Sequence, residues 1–125
     1  MIDHVVINVA DLGRSRRFYE KTLAVFGYAV QSCYPEAVGF GEEGKPDFWI
    51  VTREPLHRGV HVAFASADRA TVDRFYEVAR SAGGRANGPP GVRTIYHPHY
   101  YGAYVLDPDG NNIEAVCHRP AGDAV

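Results

Sequence analysis

Residues 4–20, HVVINVADLGRSRRFYE, are followed by a second copy at residues 61–77, HVAFASADRATVDRFYE. The two stretches align without a gap at a constant offset of 57 positions. Eight of the seventeen aligned pairs are identical, namely His4 and His61, Val5 and Val62, Ala10 and Ala67, Asp11 and Asp68, Arg17 and Arg74, Phe18 and Phe75, Tyr19 and Tyr76, and Glu20 and Glu77. The chain therefore carries two copies of one structural unit, with modules at about 1–57 and 58–120.

Each copy has the same order of predicted elements. A short apolar run leads to an aspartate suited to cap a helix, and apolar residues then recur at helical spacing. Three strands are expected after each helix, at 29–34, 38–40 and 48–52 in the first copy and at 94–97, 103–106 and 113–117 in the second. Residues 87–91, NGPPG, are predicted to form a loop.

The pattern predicts an α+β fold made of two tandem βαβββ modules. A four-stranded sheet with one helix has one covered face and one open face. Two such units side by side are expected to form a curled, mixed eight-stranded sheet around a cleft, with the helices outside. At 125 residues the chain is expected to be one domain, 1–125.

Charge and composition exclude some classes of function. The 13 basic and 15 acidic residues give a net charge of −2, which lacks the basic excess typical of proteins that bind nucleic acid or anionic membranes. The two cysteines are too few for a disulfide framework, and no apolar run is long enough to span a membrane. We therefore expect a cytoplasmic protein with no nucleic-acid or membrane partner.

Alternation along the strands predicts which side chains line the cleft. His4 and His61, at equivalent positions of the repeat, and Glu114 are all expected on the face away from the helices. Two imidazoles and a carboxylate are suitable ligands for a divalent iron, manganese, cobalt, nickel or zinc ion, with coordination positions left open for a substrate. The alternative is that these are ordinary solvated or hydrogen-bonded residues.

Three stretches of the sequence carry a family resemblance: residues 3–23, residues 61–77, and residues 100–118, YYGAYVLDPDGNNIEAVCH. They resemble the vicinal oxygen chelate superfamily, which comprises the glyoxalase, bleomycin-resistance and extradiol-dioxygenase proteins. The resemblance implies His4, His61 and Glu114 as metal ligands and a homodimer whose cleft lies within one chain or is shared between two. It also implies a departure from glyoxalase I, because residues 48–51, FWIV, hold no fourth carboxylate ligand.

Further residues are candidates for catalysis or substrate binding. The resemblance places Tyr104 beside the metal, where its hydroxyl would donate to a bound anion; otherwise it is a packing residue. His97 and His99 are candidate acid–base groups because histidine titrates near neutrality, although they could also be surface loop residues. The candidate substrate-binding residues of the cleft wall are Asn8, Trp49, Tyr96, Tyr100 and Tyr101.

Two functions remain open at this point. The first is a divalent-metal-dependent enzyme, with lyase, isomerase or dioxygenase-type chemistry on a small-molecule substrate chelated through oxygen atoms. The second is a metal-free dimer of the bleomycin-resistance kind that binds a small molecule in the same cleft. A scaffold with an inactive site is a further possibility. The sequence selects neither the substrate nor the metal.

Overall fold

The computed structural model describes residues 1–122 and consists of two βαβββ modules. The elements of the first module are β1 (Val5–Val9), α1 (Leu12–Ala24), β2 (Ala29–Tyr34), β3 (Ala37–Glu42) and β4 (Lys45–Thr52). Those of the second are β5 (His61–Ala65), α2 (Arg69–Ser81), β6 (Arg85–Val92), β7 (Tyr101–Leu106) and β8 (Asn112–Cys117). The predicted α+β fold of two tandem modules is confirmed. No helix within residues 1–122 is long and apolar enough to cross a membrane.

The two helices begin at the repeated aspartates. The Asp11 carboxylate accepts a hydrogen bond from the Arg14 backbone N–H at 3.0 Å, and Asp68 accepts one from Thr71 N–H at 2.8 Å. Each carboxylate thereby satisfies an N–H group that has no partner inside its helix. The local sequence therefore sets the start of both helices in the same way.

The strand order is also repeated. The first sheet has the order β1-β4-β3-β2 and the second the order β5-β8-β7-β6. In each, the strand before the helix pairs in parallel with the last strand, and the other pairs are antiparallel. Within residues 1–122 the eight strands form two separately hydrogen-bonded sheets of four strands.

A single core joins the modules through the helix-facing sides of their sheets. Phe18 and Phe75 of the two helices and Ile113 of β8 are fully buried in one apolar cluster. Where the two modules meet, the rings of Phe26 and Phe64 stack with their centroids 5.3 Å apart. Because burial of large apolar side chains is the main favourable term in folding, this cluster holds the modules together. The face of each sheet that points away from the helices lies outside this core and is available for a functional site.

The strand that follows α2 differs from the sequence prediction. Residues 87–91 lie within β6 and are not a loop, whereas residues 94–97 lie in a turn and not in a strand. β6 is an edge strand with register shifts around Gly88, and edge strands tolerate proline and glycine because one side of their backbone needs no partner. The proline and glycine residues thus mark an irregular edge strand, and the prediction of a loop at residues 87–91 is wrong.

The turn between β7 and β8, residues 107–111, fastens the two modules together. The Asp107 carboxylate accepts hydrogen bonds from the hydroxyl of Tyr19 in α1 at 2.5 Å and from the backbone N–H groups of Asp109 and Asn111, both at 2.9 Å. The Asp109 carboxylate in turn accepts a hydrogen bond from Arg14 at 2.9 Å. We name residues 107–111 the seam turn.

Candidate functional site

A buried carboxylate occupies the centre of the open face of the second sheet. Glu114 is 1% exposed, and its Oε1 lies 2.8 Å from Nε2 of His61, a side chain that is 51% exposed. Its other oxygen, Oε2, accepts a hydrogen bond from the Tyr100 hydroxyl. We name His61, Tyr100, Tyr104 and Glu114 the carboxylate cluster.

Strand alternation explains why Glu114 lies on this face. Its neighbours Ile113 and Ala115 are fully buried under the helix, so Glu114 points to the other side of β8. Space for it comes from Gly102 on β7, where an added Cβ would lie 3.2 Å from Glu114 Oε2 and 3.2 Å from the Tyr100 ring. A glycine at 102 thus permits the tyrosine and the carboxylate to meet.

Tyr104 is the cross-strand neighbour of Glu114, with its ring centroid 6.1 Å from that of His61. Burial, together with the negative charge of Glu114, raises the pKa of Tyr104. Burial and then the hydrogen bond to Glu114 raise the pKa of Tyr100 far above its ordinary value. Both hydroxyls therefore keep their protons at neutral pH and can act as hydrogen-bond donors.

His4 lies on the open face of the first sheet, in a groove of about 510 Å³ that also contains Trp49. Its Nδ1 is 2.8 Å from Asp3 Oδ1, and its side chain is half-exposed. All residues that line this groove belong to the first module, at positions 3 to 53. We name it the first-module groove.

The register of the two sheets shows which residues are structurally equivalent. Val6 of β1 pairs with Trp49, and Ala63, the repeat equivalent of Val6, pairs with Glu114. Trp49 therefore stands where the second module has Glu114. On the adjacent strand, Gly39 pairs with Trp49 as Tyr104 pairs with Glu114. The first module thus keeps the histidine of the site but replaces its carboxylate with an indole ring.

The structure does not assemble the three expected ligands within one chain. Residues 1–122 contain no group of three His, Cys, Asp or Glu side chains placed to hold a metal ion. His61 and Glu114 are together, whereas His4 is in the first-module groove. His4 is apart from this pair within residues 1–122, because the modules join through a common core on their helix sides and their strands form two separate sheets.

Two predicted cleft residues have other roles. The Asn8 side chain is buried and donates to the Pro55 carbonyl at 2.9 Å, so it holds the linker between the modules. Tyr101 lies on the helix side of β7, where its hydroxyl donates to Asp73 at 2.6 Å and the Arg69 guanidinium lies over its ring. Strand alternation along β7 thus turns Tyr101 to the face opposite Tyr104 in this chain.

The loop before β7 carries the two candidate acid–base histidines. His97 Nε2 is 2.8 Å from His118 Nδ1, and His97 Nδ1 accepts a hydrogen bond from the His99 backbone N–H at 3.1 Å. Both ring nitrogens of His97 are therefore engaged, and the His99 side chain is exposed. Tyr96, also exposed, packs against the Tyr100 ring with centroids 4.7 Å apart. Within residues 1–122 neither histidine forms a hydrogen bond or ring contact with His61 or Glu114.

The sequence reasoning placed Tyr100 in the cleft wall but missed its bond to Glu114. The sequence also gives no indication of the contact between His97 and His118, which follows the end of β8. Tyr100 lies in a turn, so strand alternation gives no indication of its direction. Only the observation that glycine occupies position 102, beside a predicted inward-facing glutamate, could have suggested such a contact.

Residues 1–115 match the family model of the Glyoxalase/Bleomycin resistance protein/Dioxygenase superfamily. The chain belongs to this superfamily. It is 30% identical to a glyoxalase/bleomycin resistance protein from Albidiferax ferrireducens T118, with a TM-score of 0.80, covering 94% of this chain and 98% of that one. The likeness to a lactoylglutathione lyase from Agrobacterium tumefaciens is one of fold: 20% identity, a TM-score of 0.68, and coverage of 98% and 97%. No curated protein matches the sequence.

Many superfamily members depend on a metal, and the chemistry of the carboxylate cluster fits one. A buried carboxylate is costly unless it is paired with hydrogen-bond donors or a cation, and Glu114 has a histidine and a tyrosine as its partners. Two ligand atoms bound at about 2.1 Å to one ion lie about 3 Å apart when they meet at a right angle. The 2.8 Å between His61 Nε2 and Glu114 Oε1 is close to that separation.

Proposed function

We propose that this protein is a divalent-metal-dependent enzyme whose metal is held by His61 and Glu114 of one chain and His4 of a second copy. The observation that carries the proposal is the buried Glu114 carboxylate, held between His61 and Tyr100 on an open sheet face. His4 occupies the equivalent position of the other module and lacks a carboxylate neighbour there other than Asp3. Each module is thus an incomplete site that a homodimer would complete.

The bound ion would act as a Lewis acid that polarises a substrate oxygen. The Tyr100 hydroxyl donates a hydrogen bond to Glu114 Oε2. The other oxygen, Oε1, which lies next to His61 Nε2, would then be the atom that binds the ion. Tyr104 keeps its proton and can donate a hydrogen bond to an oxygen that gains negative charge during the reaction. Trp49, which lines the same groove as His4, would bring an apolar surface to such a shared site. A two-histidine, one-carboxylate set accepts several first-row ions and leaves positions open for substrate.

The first test is metal content. We expect about one divalent ion per chain in protein purified without chelators, measured by elemental analysis. His4→Ala, His61→Ala and Glu114→Gln should each lose the ion, because each removes one donor atom. Glu43→Gln, in the exposed turn before β4, is the matched control and should keep it. Failure of the wild-type protein to hold any divalent ion after reloading would contradict the proposed function.

A mixed dimer tests whether the site is shared. His4→Ala retains an intact second module and Glu114→Gln retains an intact first module. Co-expressed with different tags and purified through both, they form a dimer with one fully intact shared site, so we expect about one ion per dimer. Each variant alone should hold none. A mixed dimer without metal would show that all three ligands come from the same chain.

A metal-free binding protein is the second candidate, and the aromatic lining of the first-module groove favours it. It requires that a small molecule bind equally well before and after chelation, and equally well to His4→Ala. The proteins prepared for the metal analysis serve for this test as well, so that ligand binding and metal content are compared in the same samples.

A further inference from the structure

The first-module groove has an aromatic floor. The indole ring of Trp49 lies over Gly39, where an added Cβ would come within 2.9 Å of the indole atoms Cε2 and Cζ2 and within 2.8 Å of Pro46 Cβ. Because glycine at position 39 has no Cβ, it leaves the space that the indole ring occupies. The Trp49 side chain is only partly buried, so part of the indole is open to a ligand.

A second ring extends this floor. The Tyr34 ring is nearly parallel to that of Trp49, with an interplanar angle of 18° and centroids 6.2 Å apart, and Tyr34 is 61% exposed. Val6 and Val51 continue the apolar surface on the neighbouring strands. At about 510 Å³ the groove lies within the size range of small-molecule sites. Exposed aromatic rings of this kind are suited to a flat or apolar ligand.

The groove also contains one unpaired cation. Arg53 is the sole lysine or arginine among its described lining residues, and within residues 1–122 it forms no hydrogen bond or ion pair. Asp3 lines the groove too, but its carboxylate is bound to His4 at the start of β1, whereas Arg53 follows the end of the parallel strand β4. Arg53 is thus free to bind an anion, with a planar guanidinium that matches a carboxylate.

We propose that the first-module groove binds an organic carboxylate with an aromatic ring, the ring on Trp49 and Tyr34 and the carboxylate on Arg53. Arg53 lies four positions after Trp49, which in an extended chain is roughly 13 Å between the Cα atoms, and the flexible arginine stem shortens the distance that a ligand must cover. This site goes beyond the proposed metal chemistry, because none of its contacts requires an ion. If the proposed function holds, it names the class of substrate.

Trp49 makes the proposal measurable, since it is the single tryptophan of the chain. The probes are 4-phenylbutyrate, its neutral amide 4-phenylbutyramide, and butyrate, titrated with excess EDTA while the emission of Trp49 is followed. We expect saturable quenching by phenylbutyrate, with binding about tenfold tighter than that of the amide because of the charged hydrogen bond. Butyrate, without a ring, should bind much more weakly than phenylbutyrate.

Arg53→Gln and Arg58→Gln form the matched pair of variants. Arg58 is exposed in the linker and does not line the groove, so Arg58→Gln should bind both probes like the wild type. Arg53→Gln should bind the amide unchanged and lose the tenfold preference for the acid. Equal binding of acid and amide by the wild type, or retention of the preference in Arg53→Gln, overturns the proposal. So does a lack of binding by both probes. Because EDTA is present, none of these outcomes depends on the metal site.

Discussion

The open faces of the two modules hold different chemistry at equivalent positions. The first presents His4, Trp49 and Gly39, and the second presents His61, Glu114 and Tyr104. The residues that form the fold, by contrast, are repeated, including both helix-capping aspartates and the strand order. The two copies therefore share the residues that form the core and the helix caps. They differ on the open faces, where the side chains contact neither the core nor the caps.

Even identical residues are used differently in the two copies. Tyr19 is fully buried and donates to Asp107, and burial next to that carboxylate raises its pKa well above the ordinary value. Its repeat partner Tyr76 is only partly buried and lies under the guanidinium of Arg80, 4.9 Å from the ring centroid. The difference arises because the seam turn bonds to Tyr19 and Arg14 of α1, whereas within residues 1–122 it forms no hydrogen bond with α2. An internal repeat thus predicts shape more reliably than it predicts contacts.

Asp107→Ala should produce the largest change, because Asp107 accepts buried hydrogen bonds of a kind that the exposed hairpin between β3 and β4 lacks within residues 1–122. The substitution leaves the buried Tyr19 hydroxyl and two backbone N–H groups without their acceptor. At about 1–3 kcal/mol for each unsatisfied group, we expect the free energy of unfolding to fall by at least about 3 kcal/mol. Urea denaturation measures the loss.

Glu42→Ala in the hairpin between β3 and β4 is its control. That turn is exposed, with positive φ at both Glu43 and Gly44, and we expect a change below about 0.5 kcal/mol. If Asp107→Ala itself does not fold, Asp107→Asn, which keeps one carbonyl acceptor, should give an intermediate loss. A seam-turn variant as stable as Glu42→Ala would contradict the contrast between the hairpins.

Tyr100→Phe sharpens the comparison of the open faces, because Trp49, the counterpart of Glu114, receives no hydrogen bond from a tyrosine within residues 1–122. Loss of the hydrogen bond to Glu114 should weaken metal affinity roughly 10- to 100-fold, as is usual for groups that orient a metal ligand. Competition with a chelator of known affinity gives the change. Tyr96→Phe keeps the ring packing next to Tyr100 and should leave the affinity unaltered. Equal affinities of Tyr100→Phe and wild type would show that Glu114 needs no such support.

Alkaline stability should give the smallest effect, and an equal one in both modules. Tyr28 donates to Asp47 in the first module and Tyr101 to Asp73 in the second; burial, then these bonds, raise the pKa of each to about 12. The folded protein keeps protons that the unfolded chain releases above its ordinary tyrosine pKa of about 10. Their stabilisation is therefore complete below about pH 10 and is lost as the pH rises towards 12.

The test compares the free energy of unfolding at pH 9 and pH 11. Tyr28→Phe and Tyr101→Phe should each reduce the loss by a similar small amount. Tyr34→Phe, at an exposed site with no hydrogen-bond partner within residues 1–122, should leave the loss as it is in the wild type. A large effect from one variant and none from the other would show that the two modules respond differently to pH.

Much of the fold could be predicted because it depends on local signals that occur twice. The aspartate caps, the helical spacing around Phe18 and Phe75, and the alternation that buries Ile113 while turning Glu114 outward are all read from neighbouring residues. The fold failed to follow prediction at β6, where an edge position tolerates Pro89 and Pro90. Position in the sheet is a tertiary property, which no local window contains.

The candidate site was predictable only in part. Alternation placed His61 and Glu114 on one face, but the contact of Tyr100 with Glu114 depends on a turn and on Gly102. The separation of His4 from this pair depends on how the modules pack, and the free guanidinium of Arg53 is defined by partners that it lacks within residues 1–122. Such features are set by distances between elements, and a repeat in the sequence carries no record of them.

The seam turn also has a consequence for how the chain unfolds. A duplicated unit could in principle melt in two steps, half by half. Here the turn of the second module is bonded to α1, and the linker is bound to Asn111 through the carbonyl of His57 and the N–H of Val60. With one shared core as well, neither half has a complete folded form of its own. The protein should therefore denature in a single cooperative transition in which both modules unfold together.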